Sequence, residues 1–345
     1  MAEAADEKLG LTRGRRLFLW LVGLMALLLI IAAAVLGTIA WINYQFSADG
    51  GFTDDRVFVV PEGAGVNRVA NALAAEDLIS NADVYRLVMR LRDPDARLVP
   101  GEFEIPGGSS MAEITDILKS GKTIQYRFTA PEGLTVAQVF RLMDAHDVLI
   151  DDDPEPPGEG TLLPETYLFP RGTTQSDIVA QMRAAHDTAL DELWPARQPG
   201  LPIATRGEAV ILASIVEKET GVGAERAEVA GVFTNRLRRG MRLESDPTII
   251  YGISRGEPLG RGLRRSEIDR RTDWNTYQID GLPPTPIANP GREALAAVLD
   301  PAKTDALFFV ADGTGGHAFA RTYAEHLRNV RKWRTIEREM RKGTE

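Results

Sequence analysis

Residues 58–73 read F-V-V-P-E-G-A-G-V-N-R-V-A-N-A-L, and residues 128–143 read F-T-A-P-E-G-L-T-V-A-Q-V-F-R-L-M, an echo at an offset of 70. Each copy runs from an apolar strand-like stretch through a Pro-Glu-Gly turn into a helical spacing. Val66, Val69, Ala70 and Leu73 match Val136, Val139, Phe140 and Met143. In the second copy Thr135 and Gln138 form a capping-box pattern that satisfies the first orphan amides of a helix. The echo continues with L-V-P-G-E-F-E-I-P-G-G-S-S from Leu98 and L-L-P-E-T-Y-L-F-P-R-G-T-T from Leu162. Helices with caps at Ser110/Glu113 and Thr174/Asp177 are expected to follow. Two copies of a strand, helix, strand, helix module give an α+β fold class.

Between the halves of the second copy lies D-D-D-P-E-P-P-G-E-G, Asp151–Gly160. Its prolines, glycines and like charges oppose helix and strand and predict a solvated loop. The first module resembles small LysM-like units that bind cell-wall glycans; the plainer reading is a spacer. Upstream, Leu17–Ile42 carries no charge over 26 residues, about 39 Å as a helix, which spans a bilayer with some tilt. Trp20 and Trp41 fall near its ends, and Arg13, Arg15 and Arg16 precede it. Positive-inside logic keeps residues 1–16 in the cytoplasm and the remainder outside. A cleaved signal peptide is the rival, but its apolar region is usually shorter. The expected order is a tail at 1–16, a transmembrane helix at 17–42, the LysM-like module at 43–124 and a catalytic domain at 125–345, in which 125–200 holds the second echo.

With 345 residues, 44% hydrophobic and 26% charged, the chain is neither wholly disordered nor a multispanning membrane protein. A net charge of -9 opposes binding to nucleic acid. The lack of cysteine excludes disulfides, thiolate catalysis and Cys-based metal sites. His146, His186, His317 and His326 show no paired ligand spacing, so no metal and no organic cofactor is expected.

Thr205–Thr220, T-R-G-E-A-V-I-L-A-S-I-V-E-K-E-T, opens on a capping box and predicts a helix of about four turns. Ala209–Val216 is apolar almost all round, as in a helix buried within its domain. Glu217 closes that run above Val210, Ala213 and Ser214, whereas Glu219 is rotated by about 200° and points elsewhere. A desolvated carboxyl at Glu217 would stay protonated near neutrality and act as an acid. The competing reading makes Glu217, Lys218 and Glu219 the solvated last turn. A second helix is expected over Ala224–Arg239, and Asp246 before Pro247 reads as an N-cap.

Three longer motifs are A-S-I-V-E-K-E-T from Ala213, V-F-T-N-R-L-R-R-G-M-R-L-E-S-D-P-T-I-I-Y-G from Val232, and N-T-Y-Q-I-D-G-L-P-P-T-P-I-A-N-P-G from Asn275. With F-F-V-A-D-G-T-G-G-H-A-F from Phe308, they resemble the endolytic murein transglycosylase, or YceG-like, family over nearly the whole chain. The resemblance implies non-hydrolytic cleavage of peptidoglycan strands between MurNAc and GlcNAc, leaving 1,6-anhydroMurNAc ends and terminating strand elongation. It implies an enzyme held by one helix in the cytoplasmic membrane with its catalytic domain outside, beside peptidoglycan synthases. The family's catalytic acid is placed at Glu217. Tyr277, Asn235, Arg236, Ser245 and Asp246 are candidates for the sugar cleft, although each also has a local packing or capping role open to it. His317 is expected to order the site, and the arginines from Arg255 to Arg271 either attract stem-peptide carboxylates or line a solvated loop. Glu244, Trp274 and Thr285 depart from the glutamine, tyrosine and glycine common in relatives. A carboxylate at Glu244 facing the cleft would raise the acid's pKa or permit two-carboxylate hydrolysis. Two alternatives stand beside the transglycosylase: a non-catalytic glycan-binding scaffold, and a lysozyme-like hydrolase.

Overall fold

The computed structural model describes residues 13–342, so most of the expected cytoplasmic tail lies outside the described residues. The chain divides after Ile124 into two compact units, and its elements form a mixed α+β fold.

In the first unit, α1 (Arg13–Ser47) is one continuous helix, long and apolar enough to cross a membrane. It leads into β1 (Arg56–Val60), α2 (Val66–Ala75), α3 (Ala82–Arg92), β2 (Gly101–Ile105) and α4 (Met111–Ser120). β1 and β2 pair antiparallel with Phe58 opposite Phe103. These two rings are fully buried with Leu73, Tyr85, Ile114 and Leu118. The alternating burial of β1 and the helical stripe of α2 follow from the quoted repeat. Asn81 caps α3 by accepting from the amides of Asp83 and Val84, and Ser110 with Glu113 forms the expected capping box.

The second unit begins with β3 (Tyr126–Thr129), α5 (Val136–Asp144), β4 (Thr166–Phe169) and α6 (Gln175–Leu193). β3 and β4 again pair antiparallel, with Phe128 opposite Tyr167, and Thr135 and Thr174 both cap through complete boxes. The second copy therefore has the same strand, helix, strand, helix order, without a counterpart of α3. The spacer 151–160 is irregular as expected, but its Glu159 is not solvated. Its carboxylate accepts from the Val136 amide at 2.8 Å and from the Tyr251 hydroxyl at 3.3 Å, fixing the start of α5.

Beyond it, α7 (Arg206–Glu219), α8 (Arg226–Arg238), α9 (Asp246–Ser254), α10 (Arg265–Asp269) and α11 (Arg292–Leu299) precede the antiparallel hairpin of β5 (Phe308–Ala311) and β6 (His317–Ala320), and α12 (Tyr323–Lys342) closes the chain. α7 is sunk among α8, α9 and α11, and Ala213, Ile215, Val216, Val229, Phe233, Leu295 and Val298 share one core. α8 starts two residues later than the sequence pattern suggests, because Gly223–Glu225 forms a short 3-10 turn ahead of it.

Candidate active site

The two acidic residues at the end of α7 meet different surroundings. Glu217 is directed into the protein, its side chain 5% exposed. One carboxylate oxygen accepts from the Gly291 amide at 2.9 Å, and the other accepts from the Arg226 guanidinium at 3.3 Å. Arg226 also pairs with Glu132 at 2.8 Å and with Glu293, so three carboxylates share one buried guanidinium. Burial raises the Glu217 pKa, and the Gly291 amide, Arg226 and Lys218 act against that rise. Glu217 is a buried tie-point between α7, Arg226 and the Gly291 backbone.

Glu219, one residue pair further on, lies in the wall of a cavity of about 340 Å³ with Arg236, Glu244, Asp246, Tyr277 and His326. The Ser245 hydroxyl donates to Glu219 Oε1 at 2.5 Å. Burial pushes the Glu219 pKa up to about 7, with Asp246 adding repulsion, while the Ser245 bond and the charges of His317 and Arg236 pull it back. The carboxyl group is thus poised between acid and base near neutrality.

The sequence candidates separate accordingly. Ser245 and not Asp246 occupies the N-cap position of α9, yet its hydroxyl caps nothing because it is committed to Glu219. Asp246 stands in the first turn and accepts from the Tyr277 hydroxyl at 2.8 Å. Tyr277 has its pKa raised by burial and by Asp246, so it remains a neutral phenol. Arg236 is buried, donating to the carbonyls of Leu307, Arg242 and Leu243 and to Glu244 at 3.0 Å. Ser245, Asp246, Tyr277 and Arg236 therefore gather at Glu219 and not at Glu217. Asn235 is absent from the cavity wall: its side-chain amide donates to the carbonyls of Thr304 at 2.7 Å and Ala306 at 3.1 Å, tying α8 to the strand that follows.

Glu244 does line the cavity, where its carboxylate is paired with Arg236, and it adopts a left-handed backbone at φ 54°. His317 is held at the hairpin by Glu225, which accepts from its Nδ1 at 2.7 Å and from its amide at 3.0 Å. Trp274 and Thr285, two of the departures, are partners, with the indole N–H donating to the Thr285 hydroxyl at 3.0 Å. In the arginine run, Arg261 pairs with Glu267 and Arg265 with Asp269, and Arg255 lies 4.0 Å over the Trp274 ring. Much of that run is thus spent locally.

Glu219 and His326 line the cavity, where the sequence pattern did not place them. His326 stacks on Phe308, its Nδ1 is buried without a hydrogen-bond partner among the described residues, and burial with the nearby Arg236 lowers its pKa, keeping the ring neutral. Among the described residues no cluster of His, Asp and Glu is arranged to hold a metal ion.

A family model described as the YceG-like family matches residues 58–332, most of both units. The chain belongs to the YceG-like family. Among relatives of this YceG-like chain, the endolytic murein transglycosylase of Bacillus subtilis (strain 168) is 26% identical over 306 residues, covering 79% of this chain and 83% of the relative. That of Streptococcus pneumoniae serotype 2 (strain D39) is 26% identical over 320 residues, covering 79% of this chain and 57% of the longer relative. A crystal structure of a YceG-like protein from Listeria monocytogenes, 26% identical, covers 80% of this chain and 98% of its own, with a TM-score of 0.48.

Proposed function

We propose that the protein is an endolytic murein transglycosylase, anchored by α1 in the cytoplasmic membrane, with Glu219 as its single acid and base. The observation that carries this is the Glu219 carboxyl in the cavity wall, held by Ser245 and raised to a pKa of about 7. Neutral Glu219 donates its proton to the glycosidic oxygen as the bond from MurNAc C1 breaks, and GlcNAc leaves with a free 4-hydroxyl. The resulting carboxylate takes the proton of the muramoyl 6-hydroxyl as that oxygen attacks C1, closing a 1,6-anhydro ring and restoring the acid. No water is consumed, and one carboxyl group serves both steps. Tyr277 commits its proton to Asp246, so toward substrate its oxygen is an acceptor. Arg13, Arg15 and Arg16 at the start of α1, ahead of its apolar run, fit an orientation with both modules outside, where nascent strands emerge beside their synthases and are cut short. The first unit fits a LysM-like glycan-binding role through its β1, α2, β2, α4 order.

One observation favours a second reading: Asp246 shares the cavity with Glu219, and two carboxylates flanking a sugar suit hydrolysis of the lysozyme kind. Product analysis by mass spectrometry on purified glycan strands decides. The transglycosylase yields 1,6-anhydromuramoyl ends, lost in Glu219→Gln and retained in Glu217→Gln. Reducing ends would establish the hydrolase. Strands bound but uncut by the wild type would establish a scaffold.

A further inference from the structure

We infer that the outer flank of α3, carrying Leu87 and Leu91, rests on the lipid surface of the bilayer that α1 crosses. The inference depends on the anchoring proposed above and adds a second membrane contact to it.

The geometry begins at the end of α1. Its apolar run stops at Ile42, and of the next four residues Asn43, Gln45 and Phe46 contact the first unit. Phe46 is 4% exposed and packs 6.1 Å from the Tyr85 ring in the middle of α3. Arg92, at the C-terminal end of α3, donates to Asn43 at 2.6 Å and lies over the Phe46 ring at 5.3 Å. Ser80, just before α3, donates to Gln45 at 3.3 Å. The start of α3 and its last residue therefore meet α1 within Asn43–Phe46, so α3 packs against the end of the spanning helix.

At 1.5 Å per residue these contacts fall about 1.5–6 Å beyond the apolar boundary. A headgroup layer is about 5–7 Å deep on each side of the hydrocarbon core. No slack intervenes: the Gly50 amide donates to Gly108 and the Gly108 amide to Phe52, fastening the segment after α1 to the module. The module is thereby held at headgroup depth.

What α3 shows on its unpacked side suits that depth. Leu91 is 73% exposed and Leu87 42%, and at a spacing of four they form one stripe. Arg90 lies on the next stripe, where a long stem lies along the interface and its guanidinium reaches the phosphates, whereas Arg86 is held within the module by Asn71 and Asp83. Tyr44, 70% exposed at the end of α1, is a residue type enriched at the same level. An aqueous surface offers these leucines nothing; an acyl boundary buries them.

The chain has no cysteine, which permits a clean test on the full-length protein. Leu91→Cys and, separately, Leu29→Cys carry an environment-sensitive fluorophore in vesicles of phosphatidylethanolamine and phosphatidylglycerol containing brominated lipids. The label at 29 is expected to be quenched by bromines deep in the chains, and the label at 91 about twofold by bromines near the headgroup. Quenching at 29 without quenching at 91 overturns this inference alone. No quenching at 29 removes the anchoring reading and this one with it. A label-free measurement complements the first: hydrogen exchange across 82–92 should be slower in vesicle-bound wild type than in Leu87→Ser/Leu91→Ser, and equal rates would overturn the contact.

Discussion

The Ser245 hydroxyl donates to Glu219 Oε1 at 2.5 Å from a residue 1% exposed, joining the start of one helix to the last residue of another. That bond favours the carboxylate, opposing the burial that drives the Glu219 pKa to about 7. Because the reaction begins with proton donation, activity should fall as pH rises through 7, by about tenfold per unit once well above it. Removing the hydroxyl in Ser245→Ala leaves burial less opposed, so the alkaline limb of the kcat profile should move to higher pH. A limb that stays put, measured by anhydromuramoyl release between pH 5 and 9, would detach Glu219 from the rate.

The same group costs stability where it is charged. Its folded pKa lies above the ordinary 4.5, so the native state holds more proton than the unfolded chain between about 4.5 and 7. Stability from this group is full below that window and lost as pH rises through it. Glu219→Gln cannot ionise, so at pH 8 it should melt higher than wild type, and the difference should vanish near pH 4. Each kcal/mol gained corresponds to about 2–4 °C in a domain of this size. Calorimetry at both pH values checks the sign.

Glu217 should differ from Glu219: its pKa is also raised by burial, which gives a non-ionising variant part of the same gain, but its carboxylate makes ties to Arg226 and Gly291 whose loss outweighs that gain. Glu217→Gln removes one of three negative charges around Arg226 and weakens the acceptor of the Gly291 amide. A loss of about 1–3 kcal/mol is expected, with turnover per folded molecule within a few fold of wild type. Denaturant titration beside product assays separates the two effects.

Tyr277→Phe deletes the donor to Asp246 and leaves the ring in place. A hydrogen bond to a charged group is worth about 1.5–3 kcal/mol, so kcat/KM should fall by about 10- to 100-fold if Asp246 must be held for substrate. An unchanged value at unchanged stability would make the pair purely structural.

How far the sequence could be read depended on whether the information was local. The two strand, helix, strand, helix units follow from patterns within 16 residues, and Thr135, Thr174 and Ser110 all cap where their i+3 partners stand. α3 has no echo in the second copy, so the repeat could not announce it. Which of Glu217 and Glu219 lines the cavity was not a local question. α7 is buried on nearly every side, so angular position alone does not say which flank meets the cavity. The deciding partners, Ser245 and Tyr277, arrive from 26 and 58 residues further along. Ser245 also hid behind Asp246-Pro247, a local start signal strong enough to account for itself. Asn235 and Arg236 were adjacent in sequence, but neighbouring helix positions face different ways, and only Arg236 reached the cavity.

Trp274 and Thr285 are predicted to be energetically coupled. The Trp274 indole reaches the Thr285 hydroxyl at 3.0 Å, while its ring carries Arg255 on one face and meets Tyr251 at 5.8 Å. Thr285→Gly removes the acceptor and leaves the indole N–H unpaired in a half-buried position. Trp274→Tyr shortens the donor and strands the threonine. Each single variant should lose about 1–2 kcal/mol, and the double variant less than their sum, with a coupling of about 0.5–1.5 kcal/mol. Additive losses in a double-mutant cycle followed by urea unfolding would mean that the two side chains merely sit near one another.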